Sequence, residues 1–294
     1  MKVNEEEECR MNNVILVTGA TGNVGREVVS QLLRTGSVVR ALTRDPDSAG
    51  LPGGVDVVRA DLSVPKTLDE CLDGVDAVFL MWPGLPVEHA SAALDAVTKN
   101  ARRIVFLSSF TVRDDLEQQT DPITAFHADI EHLIEQSGLE WTFLRCGGFA
   151  TNALMWAPQI RADGVVRWPY GAAARSLIHE RDIAAVAVRA LIGDGHSGTK
   201  YVLTGPQSLT QVEQVRTIGE SIGRPLRYEE ISPEAARQQM LTKGWPPSFV
   251  DGALDHWAKC VTEPELVTPK VEEVTGAPAR TFREWAIDHA GDFR

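Results

Sequence analysis

Three glycines, Gly19, Gly22 and Gly25, lie three residues apart in the segment VILVTGATGNVG. An apolar run precedes them and a helical pattern follows, which predicts a turn between a strand and a helix. Glycines in such a turn let a pyrophosphate approach the free N–H groups at the start of the helix, because no Cβ stands in the way. A glycine-rich turn without a ligand is the alternative, but the strand and helix around it favour a bound dinucleotide. The residues expected to contact the dinucleotide are Gly19, Thr21, Gly22, Asn23, Val24 and Gly25.

The end of the second strand indicates which dinucleotide binds. An acidic side chain there would accept a hydrogen bond from a ribose 2′-hydroxyl, and a basic one would pair with a 2′-phosphate. The chain has Thr43 and Arg44 at this point, and a hydroxyl and a guanidinium fork suit a phosphate dianion. Asp45 follows and could partly neutralise Arg44, which in the alternative interpretation is an ordinary exposed charge. The sequence predicts NADP as the cofactor, with NADPH preferred over NADH.

Residues after the next three strands are further candidates, because ligands of open α/β sheets bind outside the carboxyl ends of the strands. Asp61 and Leu62 follow the third strand, where a loop could border the adenine, although an Asp that begins a helix is an alternative. The fourth and fifth strands are followed by Met81, Trp82, Ser108, Ser109 and Phe110. These five residues are expected to line the crevice. In the alternative interpretation, Met81 and Trp82 belong to the core.

The elements that would position these residues alternate between strands and helices from Val14 onward, including a helix predicted from about Pro122 to Gln136. Because crossovers are right-handed, such alternation predicts an α/β fold with a Rossmann-type doubly wound parallel sheet. Two irregular stretches are assigned to a smaller α+β cap. The predicted boundaries are 1–12 for a disordered acidic tail, 13–146 plus 176–205 for the NADP-binding Rossmann domain, and 147–175 plus 206–294 for the substrate-binding cap.

Several helix starts are predicted from capping patterns, in which a Ser or Thr side chain bonds the first turn of the helix. The candidates are Thr67 with Glu70, Thr210 with Glu213, Thr281 with Glu284, and Ser232 followed by Pro233. Three of the four fall in the predicted cap, which is therefore expected to mix short helices with strands.

Composition limits the partners. The 294 residues carry a formal charge of −12, from 41 acidic and 29 basic residues, and no basic stripe offsets it, so nucleic acid is not expected as a partner. No apolar run approaches the ~20 residues of a membrane span, and the N-terminus lacks the features of a signal peptide. The four cysteines form no C-x-x-C pair, so neither a metal site nor a disulfide framework is indicated. We expect a cytoplasmic monomer or homodimer that binds neither nucleic acid nor membrane.

Over nearly its whole length the chain resembles the NmrA-like branch of the atypical short-chain dehydrogenases/reductases. The resemblance rests on VTGATGNVG with TRDP after it, FLSS, HADIEHLIEQSGLEWTFLRCGGF, RDIAAVAVRAL, YVLTGP and the terminal TFREW. It implies a Rossmann domain with NADP(H) in the glycine turn and a C-terminal cap. It also implies two kinds of function, because some members reduce quinones, azo compounds or alkaloid intermediates and others sense the NADPH/NADP ratio.

Ordinary short-chain dehydrogenases carry a Tyr-x-x-x-Lys pair on the helix after the fifth strand, and alignment with them places Ile123 at the tyrosine and His127 at the lysine. Isoleucine cannot donate a proton. His127 could hold the nicotinamide ribose, donate a proton, or be a packed surface histidine, and Glu131 could orient it or form an ordinary helical pair. Tyr170 is the tyrosine of the cleft-forming stretch and the second catalytic candidate.

The family usually has Leu-Arg-Pro after the sixth strand, where this chain has Cys146 in place of the proline. The thiol could approach the nicotinamide or be a buried structural group, and the backbone of Gly147 and Gly148 could approach a carboxamide. The cofactor candidates of this region are His127, Cys146, Gly147, Gly148 and Phe149. The candidates for a substrate wall are Trp82, Phe110, Phe149, Asn152, Trp156 and Trp168, and their alternative is core packing.

The predicted function is an NADPH-dependent reductase that transfers hydride to a small, apolar or aromatic conjugated acceptor such as a quinone, enone, imine or azo compound. Such acceptors tolerate the loss of the tyrosine, because charge spreads over the conjugated system and water can supply the proton. The alternatives are a non-catalytic protein that senses NADP(H) and an enzyme without redox chemistry on the same fold.

Overall fold

The computed structural model describes residues 14–84, 86–119 and 121–294. The predicted acidic tail, residues 1–12, lies outside the described residues.

The helices and strands follow the predicted alternation. In chain order, the first half contains β1 (Val14–Val17), α1 (Asn23–Arg34), β2 (Val38–Thr43), β3 (Asp56–Arg59), α2 (Leu68–Leu72), β4 (Val75–Leu80), α3 (Val87–Thr98), β5 (Arg103–Ser109), α4 (Pro122–Gln136) and β6 (Glu140–Cys146). The second half contains α5 (Ala157–Asp163), β7 (Val165–Trp168), β8 (Ala174–Arg175), α6 (Glu180–Ile192), β9 (Thr199–Leu203), β10 (Leu209–Thr210), α7 (Gln211–Ile222), β11 (Arg227–Glu230), α8 (Pro233–Thr242), α9 (Pro247–Thr262), α10 (Lys270–Thr275) and α11 (Phe282–Asp288). Short 3₁₀ turns cover Pro65–Thr67, Ala150–Trp156 and Ala290–Phe293. Among the described residues, none of the helices has both the length and the apolar character needed to cross a membrane.

Seven strands form the central sheet in the order β3-β2-β1-β4-β5-β6-β9. Every neighbouring pair from β3 to β6 is parallel, which confirms the predicted Rossmann-type α/β fold. The strand order reverses between β1 and β4, and ligands of such sheets bind in the crevice at this point, outside the carboxyl ends of the strands. The glycine turn follows β1 and Met81 follows β4, so both lie at the expected position.

The chain divides into two compact units. One comprises the described residues up to Gln119 together with Thr124–Cys146 and Glu180–Val202, and the other comprises mainly Gly147–His179 and Leu203–Arg294. The first unit contains the helices and strands of the Rossmann sheet, and the second contains the remaining ones.

In the first unit, β5 is buried from Arg103 to Ser108, as expected for a central parallel strand that is covered on both faces. Ile104 and Phe106 alternate along this strand and share a hydrophobic cluster with Ile130 and Ile134 of α4. A helix with apolar residues four apart buries one stripe against the sheet. This stripe fixes the face of α4 on which His127 lies.

The second unit joins two small sheets to a helical core. The strand β7 pairs parallel with β11, and β8 pairs antiparallel with β10. The predicted helix starts of this unit are confirmed, because Thr210 and Thr281 form capping boxes with Glu213 and Glu284. Ser232 likewise accepts a hydrogen bond from the N–H of residue 235, with proline at the first helical position.

The predicted cap at Thr67 is wrong. Pro65 begins a 3₁₀ turn directly before α2, so Thr67 already has helical backbone angles, with φ −81° and ψ −9°. A capping side chain requires an extended backbone at its own residue. The Thr67 hydroxyl instead accepts from the N–H of Asp61, at 3.0 Å, and donates to the carbonyl oxygen of Val64.

Candidate functional site

The turn after β1 accommodates only glycine at two positions. Gly19 has φ +61°, and a Cβ on it would lie 2.4 Å from Cε of Met81. A Cβ on Gly25 would lie 2.1 Å from the carbonyl oxygen of Gly19, so α1 can pack against the turn only because Gly25 lacks one. Thr21, Gly22 and Asn23 are exposed and Val24 is buried. Gly22 precedes α1 without a side-chain cap, and within the described residues no side chain accepts from the N–H groups that open the helix, as an anion site requires.

Two residues beside this turn had no predicted role. The hydroxyl of Thr18 accepts from the N–H of Met81 at 2.7 Å and joins the ends of β1 and β4. Arg26 donates to the carbonyl oxygens of Thr21 (2.9 Å) and of residues 49–50 (2.7 and 2.8 Å), and so ties the glycine turn to the loop after β2. A positive charge in the first turn of a helix opposes the helix dipole. An arginine at this unfavourable position is the feature of the sequence that could have indicated that Arg26 has a structural role.

The ends of β2 and β3 carry two exposed guanidinium groups. Among the described residues, the Arg44 side chain forms no hydrogen bond or ion pair. The Asp45 carboxylate accepts from the hydroxyl of Ser48, which lowers its pKa, rather than neutralising Arg44. Thr43 lies beside Arg59 in the register of the two strands, and Arg59 donates to the carbonyl oxygen of Arg44 at 3.0 Å. Arg59 is thus a second cation at this edge, one that no pattern in the sequence indicates.

The candidates after β3 and β4 differ in exposure. One oxygen of Asp61 accepts from the N–H and the hydroxyl of Ser63, at 2.8 and 2.7 Å, and the side-chain bond lowers the pKa of Asp61. Leu62 and Trp82 belong to the hydrophobic core of the first unit and line a small apolar cavity of about 10 Å³ between its sheet and helices. Met81 is half-buried and lies against Gly19. Leu62 and Trp82 therefore pack in the core, whereas Met81 contacts the glycine turn.

An ionic network is built around two buried side chains, Arg145 of β6 and Glu131 of α4, and extends to the exposed Asp114. The Ser108 hydroxyl donates to Glu131 of α4. The same carboxylate accepts from Nε and Nη2 of Arg145, at 3.0 and 2.6 Å, and Arg145 also forms a bidentate pair with Asp114 at 2.8 and 2.7 Å. Although burial opposes it, these bonds raise the pKa of Arg145, and those from Arg145 hold the pKa of Asp114 below its usual range. Glu131 is therefore engaged by Ser108 and Arg145, a role different from the two considered for it.

The helix α4 places His127 one turn before Glu131. Its imidazole is half-buried and contacts two aromatic rings, Phe106 of β5 at 6.1 Å between centroids and Phe126 at 5.3 Å. Ile123 is one turn earlier, with its N–H bonded to the carboxylate of Asp121. The side chain of Ile123 carries no proton donor.

The residues after β5 and at the end of β6 are linked through the backbone. The N–H of Phe110 donates to the carbonyl oxygen of Cys146 at 3.1 Å, and the Ser109 hydroxyl bonds that of Thr111 at 2.8 Å. Ser109 and Phe110 are half-buried. The thiol of Cys146 is fully buried, and this burial raises its pKa well above the usual value. Such a thiol is protonated and unreactive at neutral pH.

Gly147, Gly148 and Phe149 begin the second unit. The N–H of Gly147 donates to the carbonyl oxygen of Leu203 at 2.8 Å, and the carbonyl oxygen of Gly148 accepts from Ile178 at 2.9 Å. Phe149 forms a parallel bridge with Ile178 and is half-buried. These bonds fix the backbone of the segment.

The other candidates for a substrate wall divide into core and surface residues. Trp156 and Trp168 are each 3% exposed and belong to the hydrophobic core of the second unit, where Trp168 lies 5.5 Å from Trp257. Tyr170 has φ +57° and packs against the same core while half-buried. Asn152 is exposed. The structure therefore agrees with the alternative prediction for Trp156 and Trp168, which is that they pack in the core.

Comparison with protein families decides the broader assignment. The model of a family described as NAD(P)H-binding matches residues 19–194, more than half of the chain and including the glycine turn. The chain belongs to this NAD(P)H-binding family. The resemblance to NmrA-like short-chain dehydrogenases/reductases and the nicotinamide cofactor are both confirmed by this match and by the relatives.

Two characterised relatives of this NAD(P)H-binding protein align over almost their full length. The (4-alkanoyl-5-oxo-2,5-dihydrofuran-3-yl)methyl phosphate reductase of Streptomyces griseus is 42% identical over 95% of this chain and 99% of its own. The NAD(P)H azoreductase of Xenophilus azovorans is 37% identical, with the same two coverages. Relatives of this kind make the chain an NAD(P)H-dependent oxidoreductase.

The fold of this oxidoreductase also matches solved structures. An NADPH-dependent quinone oxidoreductase of Escherichia coli, solved as a complex with NADPH, superimposes with a TM-score of 0.76 over 92% of this chain and 98% of its own. The two sequences are 22% identical, so the comparison supports the shared architecture.

Proposed function

We propose that this oxidoreductase takes NADPH in preference to NADH and transfers its hydride to a small conjugated acceptor without a Tyr-x-x-x-Lys pair. The observation that carries the proposal is the glycine turn with two guanidinium groups at the ends of the next two strands. The turn lacks Cβ atoms where a Cβ would collide, and opens a helix whose first N–H groups bond no side chain. Residues of this kind fit a dinucleotide.

The preference for NADPH rests on Arg44 and Arg59. Arg44 is exposed, and the neighbouring Asp45 carboxylate is bonded to Ser48. The positive charge of Arg44 therefore remains available to a 2′-phosphate. Arg59 donates to the backbone of Arg44 through one terminal nitrogen, which places a second guanidinium at the same edge. Two cations and the Thr43 hydroxyl suit a phosphate dianion better than a ribose hydroxyl.

NADPH, when bound, supplies a hydride from C4 of the nicotinamide. The chain contributes orientation, with the glycine turn binding the pyrophosphate and His127 holding the nicotinamide ribose from the face of α4 that packs on β5. Ile123 cannot protonate a carbonyl oxygen, Cys146 is buried, and Tyr170 packs against the core of the second unit. We therefore assign the proton to water, which is sufficient when the acceptor delocalises the incoming charge.

The choice of a conjugated acceptor is supported by the names of the two relatives. One acts on an unsaturated furanone and the other on azo compounds. In both kinds of molecule, the double bond that accepts hydride is part of a conjugated system. A non-catalytic NADP(H) sensor is the second candidate, and the lack of a proton donor at Ile123 favours it.

The test measures oxidation of NADPH by the purified protein with a panel of quinones, azo compounds, enones and imines. We expect turnover with at least one class, and a lower Kd for NADPH than for NADH by calorimetry. Gly25→Ala should abolish both binding and turnover, because its Cβ collides with the Gly19 carbonyl group. Gly53→Ala is the matched control, since nothing lies within 4 Å of the added Cβ. Tight NADPH binding without turnover of any acceptor would contradict the reductase and support the sensor.

A further inference from the structure

The second unit contains a nearly buried arginine whose hydrogen-bonding capacity is mostly unused. Arg175 lies in β8, opposite Leu209 of β10, and its side chain is 13% exposed. Its Nε donates to Oε1 of Glu265 at 3.0 Å. Among the described residues, neither terminal nitrogen of Arg175 has a hydrogen-bond acceptor. Four N–H groups therefore remain available on a side chain that is largely removed from bulk solvent.

The backbone is shaped to hold this guanidinium. A Cβ on Gly148 would lie 2.1 Å from Nη2 of Arg175 and 2.8 Å from its Cζ. The same Cβ would also lie 2.8 Å from Cδ2 of Leu177. Any residue other than glycine at this position would displace the guanidinium or the chain. The glycine that sequence alone assigned to cofactor binding thus has a second role, as the surface on which Arg175 rests.

Glu265 holds the guanidinium of Arg175 in place without bonding its two terminal nitrogens. The carboxylate is 2% exposed, and its Oε1 also accepts from Nε2 of His256 at 2.7 Å. Its other oxygen accepts from the backbone N–H of Ser176 at 2.9 Å. With these partners, Glu265 receives a single bond from Arg175, through Nε, and cannot span two of its nitrogens. The edge formed by the terminal nitrogens is left for a second anion, and that edge matches two oxygens of a phosphate or carboxylate.

The same cluster is unsuited to a cation. The ligand atoms of His256, Cys260 and Glu265 lie within 4.8 Å of one another, a grouping that can hold a metal ion. The guanidinium of Arg175, however, already bonds Oε1 of Glu265, and two positive groups on one carboxylate repel each other. A metal ion is therefore disfavoured beside Glu265 while Arg175 is bonded to it.

We propose that Arg175 binds an oxyanion carried by the substrate, a phosphate monoester or a carboxylate, through its two terminal nitrogens. The inference rests on the proposed function, because Arg175 falls in the segment 147–175 assigned to substrate binding. It deepens that function, since it defines the acceptor as a conjugated molecule with an anionic substituent. Arg175 is then a specificity-determining residue, and Glu265 and Gly148 are its positioning residues.

The test uses three versions of one acceptor: a 1,4-naphthoquinone with a hydroxymethyl group, its phosphate ester, and the matching carboxylate. Steady-state rates with NADPH give KM and kcat for each. In the unaltered protein, we expect the KM of one anionic quinone to be about 100-fold below that of the neutral one, as two charge-assisted hydrogen bonds allow. The difference between phosphate and carboxylate identifies the oxyanion.

Arg175→Gln should close this gap between anionic and neutral quinones, and Arg175→Lys should close it partly, because lysine keeps the charge but loses the fork. If Arg175→Gln fails to fold because Glu265 has lost its arginine, the double variant Arg175→Gln/Glu265→Gln removes both charges and gives the same readout. Arg237→Gln is the matched control, since Arg237 pairs with Asp251 on the surface of the same unit. It should leave the gap unchanged.

Equal KM values for charged and neutral quinones in the unaltered protein would overturn the proposal. So would an Arg175→Gln variant whose Kd for NADPH rises as much as the KM, because the arginine would then serve the cofactor. If no acceptor is reduced at all, the proposed function fails, and calorimetry of the phosphate ester and of the carboxylate with the NADP-loaded protein decides the anion site separately. Heat of binding in the unaltered protein that is lost in Arg175→Gln supports the site. No heat with either ligand in the unaltered protein overturns it.

Discussion

Two buried arginines, one in each unit, show opposite uses of the same side chain. Arg145 donates five hydrogen bonds, to Glu131, to Asp114 and to the carbonyl oxygen of Val112. Arg175 donates one, to Glu265. Both side chains are largely covered, at 6% and 13% exposed, and both face a buried glutamate. They differ in the number of acceptors provided by the surrounding residues.

The difference indicates which arginine supports the fold and which can bind a ligand. A guanidinium with every N–H bonded is an internal cross-link, and its loss leaves a buried carboxylate such as that of Glu131 without an ionic partner. A guanidinium with free N–H groups contributes less to the folded state and retains donors for another molecule. The count of occupied donors therefore predicts whether a substitution changes stability or binding.

The largest expected effect is at Arg145. Arg145→Met removes the ionic partner of the buried Glu131, whereas the exposed Asp114 keeps Lys200. We expect the free energy of unfolding to fall by about 3–5 kcal/mol, the range for breaking a buried ion pair. Urea unfolding followed by circular dichroism measures it. Arg113→Ala is the control, because Arg113 and Asp115 are paired on the surface at 62% and 63% exposed, and it should leave the unfolding curve unchanged. A loss below about 1 kcal/mol at Arg145 would show that full donor occupancy does not measure the contribution to the fold.

The second prediction concerns the pH dependence of stability at Glu265. Burial raises its pKa, but the hydrogen bond from His256 and the charge of Arg175 outweigh this and lower it from 4.5 to about 2. Because the folded pKa is the lower one, the stabilisation is complete above pH 4.5 and is lost as the pH falls towards 2. The shift corresponds to about 3 kcal/mol. We expect urea unfolding at pH 5, 4 and 3 to show a shallower decline in Glu265→Gln than in the unaltered protein, and parallel declines would contradict the lowered pKa.

The third prediction extends the comparison to Arg44, an arginine whose side chain bonds none of the described residues. Its substitution should affect binding alone. We expect Arg44→Asp to raise the Kd for NADPH about 100-fold, because a charge-assisted pair becomes a repulsion, and to change the Kd for NADH little. Arg59→Gln should raise the Kd for NADPH about tenfold. Calorimetry with both nucleotides measures this, and equal losses for NADPH and NADH would remove the assignment of a 2′-phosphate site.

The sequence predicts local features of this comparison well and long-range ones poorly. Features that depend on residues a few positions apart could all be predicted. They are the bounds of α4, the glycine turn and the capping boxes at Thr210 and Thr281. Thr67 shows the limit even of local patterns, because a proline two residues earlier starts the turn first.

The partners of the two arginines lie beyond local patterns. Arg145 and Asp114 are 31 residues apart, and Arg175 and Glu265 are 90 apart. No spacing rule connects such residues, since only the strand order and the packing of each unit bring them together. For the same reason the two alternatives for Glu131, orienting His127 or forming an ordinary helical pair, both lie on its own helix, and neither includes Ser108 on the adjacent strand.

The smallest expected effect is at His127, whose ring contacts two phenylalanine rings and lies one turn from the fully bonded network. If it holds the nicotinamide ribose, His127→Ala should raise the Kd for NADPH about tenfold, the loss of one hydrogen bond, and lower kcat by less than about threefold. His132→Ala is the control, because His132 is exposed on the same helix and bonds Gln136. Stopped-flow measurement of cofactor binding and of the hydride step separates the two effects. A large fall in the hydride-transfer or turnover rate with binding intact would instead make His127 the proton donor, and the proton would then come from the chain and not from water.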